Sequence, residues 1–166
     1  KKVAVTAGTQ FKLDACRELG AQTLINYHDQ DFPAVVNAEY SGADVILDIM
    51  GGSYLGKNVE ALAENGHLTI IGLQGGSNAE LNLGALLFKR GSIHVTNLRR
   101  RPETGPGSKA EIITALRQHL WPLIDAGAVA PVVAAEVPIV EAPEAHRLLD
   151  SDKTVGKVLL VVRRSG

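Results

Sequence analysis

Short apolar runs alternate with amphipathic stretches through the first hundred residues. Residues 3–7 (VAVTA) are rich in β-branched positions and stop at Gly8, the pattern of a strand meeting a turn. Thr9 then stands where a helix N-cap belongs. Phe11, Ala15, Cys16 and Leu19 recur at helical spacing before Gly20, which predicts a helix over 9–19 with those four residues facing the core. Residues 23–27 read as a second strand, and 31–40 as a weaker helix with Pro33 in its first turn, where proline is tolerated. The run 43–50 (ADVILDIM) is almost continuously apolar and predicts a strand covered on both faces. A helix over 53–64, a strand over 67–73, a helix over 79–90 and a strand over 92–98 complete the series.

Strand and helix thus alternate five times across short connections. Each crossover must pack back on the sheet, so the rhythm predicts a doubly wound α/β fold with parallel strands. A polar connection over 99–107 leads to the strongest helix signal. Ser108 and Glu111 have capping-box spacing, and Ile112, Ile113, Leu116, Leu120, Leu123 and Ile124 form an apolar stripe. Pro122 should kink the last turns, with Gly127 just past the end. The tail does not continue the rhythm, and consists of a strand-like 132–137, a short helix over 141–150 and a strand over 157–162. Residues 129–166 thus differ in style from residues 1–128. The chain opens in mid-strand without an initiator Met, so it is expected to be a piece of something longer.

Composition narrows the function classes. Among 166 residues, 17 basic and 18 acidic side chains give a net charge of −1, which speaks against a partner held mainly by charge, such as nucleic acid or an anionic membrane face. An apolar share of 45% with 21% charged residues is globular composition, not disorder. One cysteine, Cys16, excludes an internal disulfide framework and any multi-cysteine metal site, and fits a reducing compartment. No apolar run approaches the length of a membrane span. A soluble, cytoplasmic protein is expected.

In strand–glycine–helix units, ligands sit beyond the carboxyl ends of the strands, where helix N-termini offer unpaired N–H groups. A fold of this kind that binds NAD ordinarily places an acid there for the ribose hydroxyls. The segment from Ala7 through Gly8, Thr9, Gln10 and Phe11 to Lys12 has none. It offers a hydroxyl at a helix start and a cation one turn in, which suit a 2′-phosphate. Tyr27, ending the neighbouring strand, can cover an adenine or donate to the same phosphate. The plainer alternative is that Thr9 only caps its helix and Lys12 is a solvated lysine.

Other features carry less. Gly105, Gly107 and Ala110 match G-x-G-x-x-A, but residues 99–104 separate them from the preceding strand, so a flexible connection explains them better. The five histidines (His28, His67, His94, His119 and His146) share no metal-ligand spacing, and no metal site is expected. Cys16 on a core face should be buried and inert. Asp48 inside an apolar strand suggests a structural, hydrogen-bonded carboxylate. Gly51, Gly52, Gly72, Gly75 and Gly76 all fall at strand ends, where glycine permits either close approach of a flat ligand or a tight turn. No residue can be assigned as a nucleophile or proton donor.

Several blocks together carry a resemblance. VAVTAGTQFKLDACRELGAQTLINYHDQDF, GADVILDIMGGSYLGKNVEALAENGHLTIIGLQGG, LLFKRGSIHVTNLRRR and EAHRLLDSDKTVGKVLL occur in the order and spacing of one family. They resemble the quinone oxidoreductase (zeta-crystallin-like) branch of the medium-chain dehydrogenase/reductase superfamily, over essentially the whole chain. The resemblance implies a two-domain, zinc-free, NADPH-dependent reductase with a Rossmann-type cofactor domain. Residues 3–7 match the second strand of that domain, so its first βα unit and glycine-rich turn are missing. The tail from about Val132 matches a return segment of the catalytic domain. In the strand order 3-2-1-4-5-6 the missing strand is central, which should leave its two neighbours without a partner.

Carried over by motif, the resemblance places the 2′-phosphate on Thr9 and Lys12 and the adenosine end on Tyr27. It runs Gly72, Leu73, Gln74 and Gly75 past the nicotinamide, and makes Thr154 a weaker, late cofactor contact. Residues 92–98, with Ser92 at the start and Leu98 at the end, match the edge strand through which such proteins form homodimers. The implied activity is hydride transfer from NADPH to a quinone or conjugated enone, with a small-molecule substrate and no nucleic acid or membrane partner. An enoyl-thioester reductase domain of a larger synthase, or a low-turnover NADPH-binding dimer, are the alternatives.

Overall fold

A computed structural model describes residues 2–151 and 153–162. The chain divides into two compact units, Lys1–Arg100 and Arg101–Gly166. In the first, β1 (Ala4–Ala7), α1 (Gln10–Glu18), β2 (Thr23–Asn26), α2 (Phe32–Tyr40) and β3 (Ala43–Asp48) follow one another as the periodicity predicts. A 3-10 turn then leads into α3 (Leu55–Ala61), β4 (Leu62–Ile70), α4 (Leu83–Lys89) and β5 (Ser92–Val95). Every pairing is parallel: β1 with β2, then β3, β4 and β5 in that order. Among the described residues β1 pairs only with β2 and β3 only with β4, so the sheet is in two pieces at the place where a central strand was expected to be missing.

Two apolar clusters hold this unit. Ile25 on β2, Phe32 and Val36 on α2 and Ala61 on α3 form one, with Phe32 stacked on Tyr54 at 5.6 Å. Leu62, Leu68 and Ile70 on β4 form the other, closed by Ile46, Leu55, Leu86 and Ile93. Leu68 and Ile25 are fully buried, each worth about 1.5–3 kcal/mol of transfer free energy. Helices α2, α3 and α4 thus pack on the Ile46 side of the sheet. The opposite face is open among the described residues, with Val45 67% and Leu47 68% exposed, so the expectation that this strand is covered on both sides is not met.

Other departures have local causes. The helix expected over 53–64 ends at Ala61, because the chain must turn past Gly42 to pair Leu62 with Ala43. Gly42 has φ +110°, and a Cβ there would lie 2.6 Å from Ala63 Cα. The helix expected from 79 begins at Leu83, where the Asn82 side chain accepts the N–H of Ala85. The strand expected to reach Leu98 stops at Val95 and gives way to a 3-10 turn at Leu98–Arg100. On α1 the buried residue is Leu13, while Phe11 and Leu19 are exposed and Cys16 is half-buried. The helix is short and packs mainly on β1 and β2, so one row of side chains suffices to seat it.

The second unit contains α5 (Lys109–His119), α6 (Trp121–Asp125), β6 (Val133–Pro138), α7 (Ala142–Asp150) and β7 (Lys157–Val161), with β6 and β7 paired in parallel. Ser108 caps α5 by accepting the Glu111 N–H, and the Glu111 carboxylate accepts the Gly107 N–H at 2.6 Å, a capping box extended by one residue. The helix breaks at Leu120, with Pro122 in the first turn of α6, as proline demands. Its apolar stripe is not core: Ile113, Leu116, Leu123 and Ile124 are all exposed.

Candidate functional site

Three of the sequence candidates meet at one place. β1 and β2 run side by side with Ala7 opposite Asn26, which brings Gly8, Thr9 and Tyr27 to adjoining strand ends. Thr9 is the N-cap of α1: its side-chain oxygen accepts the Lys12 N–H at 3.4 Å and its carbonyl accepts the Leu13 N–H. Capping uses a lone pair and leaves the hydroxyl proton to donate, so the two readings of Thr9 are compatible. The first turn of α1 holds no acid to offset the positive end of the helix. Asp14, one turn further, is engaged by Gln10 Nε2 and by Arg17 at 2.9 Å. Lys12 is half-buried.

Gly8 has a specific job. A Cβ there would run into the Tyr27 hydroxyl and would lie 2.8 Å from its Cζ and 3.0 Å from His28 Nε2. Two rings therefore close over this backbone, with centroids 4.6 Å apart and planes tilted by 55°. Asn26 builds the loop that carries them. Its Oδ1 accepts the His28 N–H at 3.1 Å, its Nδ2 donates to the Asp29 carboxylate at 2.7 Å, and its carbonyl accepts the N–H groups of Asp29 and Gln30. That is an Asx turn, which asparagine favours. His28 stands over Gly8 because of this turn, a placement that no spacing in the sequence reveals.

The second group of candidates lies at the carboxyl ends of β3 and β4. Here the loop over 72–76 is strapped to the loop over 49–53. Gln74 donates to the Ile49 carbonyl at 3.1 Å, Gly75 to that of Met50 at 2.7 Å, and Gly52 to that of Gly76 at 2.8 Å. A Cβ at Gly72 would come within 2.7 Å of the Ile49 oxygen, and one at Gly75 would overlap Ser53 Oγ. These glycines serve the close approach of two loops, and the amides of Gln74 and Gly75 are consumed in it. The side chains of Leu73 and Gln74 remain exposed. Asp48 anchors the arrangement as a structural carboxylate, accepting the N–H groups of Met50 at 3.0 Å and Gly51 at 2.7 Å.

Thr154 belongs to the other compact unit, half-buried just before Gly156. Gly156 has φ +98° and a Cβ there would strike the Val132 carbonyl, so glycine is required where β7 starts beside β6. The glycines at 105 and 107 form no phosphate loop. The first-turn amides of α5 are already taken, Lys109 by the Pro102 carbonyl, Ala110 by that of Glu103 and Glu111 by Ser108. A cavity of about 430 Å³ beside this helix, lined by Gly105, Ser108, Glu111, Thr114 and Gln118 among others, contains none of the cofactor candidates. His67 Nδ1 and His94 Nε2 approach to 3.3 Å across β4 and β5, a pairing the sequence spacing does not reveal.

Comparison with known proteins agrees with the fold. A family model described as zinc-binding dehydrogenase matches residues 19–160. The chain is 29% identical over 164 residues to 2-haloacrylate reductase of Burkholderia sp., covering 94% of this chain and 46% of that protein. It is 29% identical over 165 residues to quinone oxidoreductase 1 of Escherichia coli (strain K12), covering 96% and 49%. A solved structure of an NAD-dependent alcohol dehydrogenase superposes with a TM-score of 0.73 at 30% identity, covering 98% of this chain and 44% of that one. The chain spans about half the length of the curated relatives it matches. These matches bear out the doubly wound, Rossmann-type α/β fold and the resemblance to the medium-chain dehydrogenase/reductase superfamily. Zinc requires three or four converging ligands, and among the described residues no three His, Cys, Asp or Glu side chains converge. Zinc chemistry is not assigned to these residues. No helix of the described residues is long and apolar enough to cross a membrane.

Proposed function

The chain belongs to the zinc-binding dehydrogenase family, and we propose that its protein is a zinc-independent, NADPH-dependent reductase that passes hydride to a quinone or a conjugated enone. The observation that carries this reading is the cluster at the start of α1. A phenol (Tyr27) packs on Gly8 beside a helix N-terminus whose cap is a hydroxyl (Thr9) and whose first turn carries a lysine (Lys12). No carboxylate occurs from Val3 to Lys12. A ribose with free hydroxyls is served by an acid; a 2′-phosphate is served by this set. Gly8 lets the Tyr27 ring stand beside the helix start, since anything larger than hydrogen on that backbone would displace the Tyr27 and His28 rings.

When bound, the cofactor supplies the hydride, and the chain's residues bind and orient it. Thr9 and Lys12 hold the phosphate, Tyr27 covers the adenosine end, and the strand-end segment Gly72, Leu73, Gln74 and Gly75 borders the nicotinamide. The named relatives, a 2-haloacrylate reductase and a quinone oxidoreductase, support this acceptor class, since 2-haloacrylates and quinones both hold a carbon–carbon double bond conjugated to a carbon–oxygen double bond. Residues 1–128 would form the cofactor domain and 129–166 a return segment of the catalytic domain. Among the described residues β5 pairs only with β4, and its other edge, with Val95 72% exposed, suits pairing with a second copy. A single cysteine suits a cytoplasmic setting.

The test is oxidation of NADPH and of NADH by the purified whole protein, with a quinone or a conjugated enone as acceptor and a chelator in a parallel arm. NADPH should be consumed faster, and the chelator should change nothing. Preference for NADH, or no oxidation with any acceptor of either class, would overturn the proposal.

A further inference from the structure

We propose that His67 and His94 form a two-histidine anchor for a divalent transition-metal ion on the open face of the sheet. His67 Nδ1 and His94 Nε2 stand 3.3 Å apart, with ring centroids 5.5 Å apart and planes tilted by 30°. An ion bonded to two imidazoles at about 2.0–2.1 Å holds their nitrogens about 2.8–3.4 Å apart, from a right-angled to a tetrahedral arrangement. The observed spacing falls inside that range. It exceeds the range of about 2.7–3.2 Å in which N–H hydrogen bonds are usual. Both residues are exposed, so water can fill the remaining positions on the ion.

The sheet sets this spacing. In the parallel ladders Val45 and Ser92 stand in register with His67, and Thr69 with His94, and none of these partners carries a charge. Alternation along the strands sends Leu68, Ile70 and Ile93 into the core and the two histidines to the opposite face. Imidazole selects the class of ion, since copper, nickel and their neighbours favour nitrogen whereas magnesium and calcium favour oxygen. Without metal, one ring donates its N–H to the other. With the ion bound, both rings turn a lone pair to it and carry their protons on the other ring nitrogen. His67 lies about 10 Å of strand before β4 ends at Ile70. The ion therefore fastens β5 to β4 away from the strand ends, and the inference stands apart from the cofactor reading.

The experiment titrates the whole protein with cupric ion, followed by calorimetry, electron paramagnetic resonance and thermal melting. The wild type is compared with His67→Ala, His94→Ala and, as a histidine outside the pair, His28→Ala. The wild type should hold one ion in its tightest site, show two imidazole nitrogens in the copper spectrum, and melt higher when loaded. His67→Ala and His94→Ala should each lose roughly tenfold or more in affinity for that ion and forfeit the gain in melting, while melting as the wild type does without it. His28→Ala should bind as the wild type does. His67→Gln and His94→Gln, which keep bulk and hydrogen bonding but lack the ligand nitrogen, should lose as much as the alanine variants. Full copper affinity in any variant of His67 or His94, or a wild-type spectrum with fewer than two nitrogens, would overturn the site.

Discussion

Replacing Gly8 by alanine should separate binding from folding. The added methyl overlaps the Tyr27 hydroxyl, sits 2.8 Å from Cζ and 3.0 Å from His28 Nε2. All three atoms are far ends of side chains, and both rings are exposed, so they can swing outward. Such a displacement costs about 0.5–1.5 kcal/mol in off-rotamer strain, a modest part of a typical stability of about 5–15 kcal/mol. The site, however, loses the Tyr27 ring that closes it. Gly42→Ala is the reverse case. There the methyl meets the Ala63 backbone at 2.6 Å and the residue has φ +110°, which costs about 1–3 kcal/mol for the dihedral alone, with overlap against immobile main chain added. Urea unfolding and 2′-AMP titration on both variants give the readout. Gly8→Ala should unfold near the wild-type midpoint yet bind 2′-AMP at least tenfold more weakly; Gly42→Ala should unfold much earlier. A Gly8→Ala protein that binds 2′-AMP with full affinity, or that is as unstable as Gly42→Ala, would refute the reasoning.

Asp48→Ala strands the N–H groups of Met50 and Gly51. It should cost about 1–3 kcal/mol per unsatisfied group in urea unfolding and raise hydrogen exchange in the loop over 72–76. The Lys57 ammonium, 2.9 Å from Asp31, holds that carboxyl below its ordinary value through a hydrogen bond, and is itself raised by the same bond. A depressed acid stabilises the fold above its unfolded pKa and ceases to as pH falls through the folded one; a raised lysine stabilises below its unfolded pKa and ceases to as pH rises through the folded one. In Lys57→Ala the Asp31 carboxyl should therefore titrate higher by NMR, with little change in stability near neutral pH because both groups are exposed. Val95→Lys on the outer edge of β5 should weaken self-association roughly tenfold or more in sedimentation, since two-fold pairing sets like charges together; an unchanged dimer would rule out that edge.

The alternation of strand and helix was legible because each βα unit is a local pattern with its own caps and turns. Thr9, Ser108 and Pro122 all do what their residue types announce. What the sequence could not show is which apolar stripes find a partner. The rows at Val45 and Leu47, and at Ile113 and Leu116, have core periodicity yet are exposed, because periodicity records a face and not what covers it. The site was legible in the same measure. Thr9, Lys12 and Tyr27 stand out by residue type at a helix start, whereas the strand-end glycines were ambiguous until their hydrogen bonds showed one loop strapped to another. The place of His28 over Gly8 was hidden because it comes from the turn that Asn26 makes.

The most direct measurement is the ratio of dissociation constants for NADPH and NADH on the whole protein, as wild type and as Lys12→Ala. The wild type should favour NADPH, and Lys12→Ala should give up roughly tenfold of that ratio while NADH affinity stays put. Equal affinity for the two coenzymes in the wild type, or an undiminished ratio in Lys12→Ala, would contradict a phosphate pocket at the start of α1.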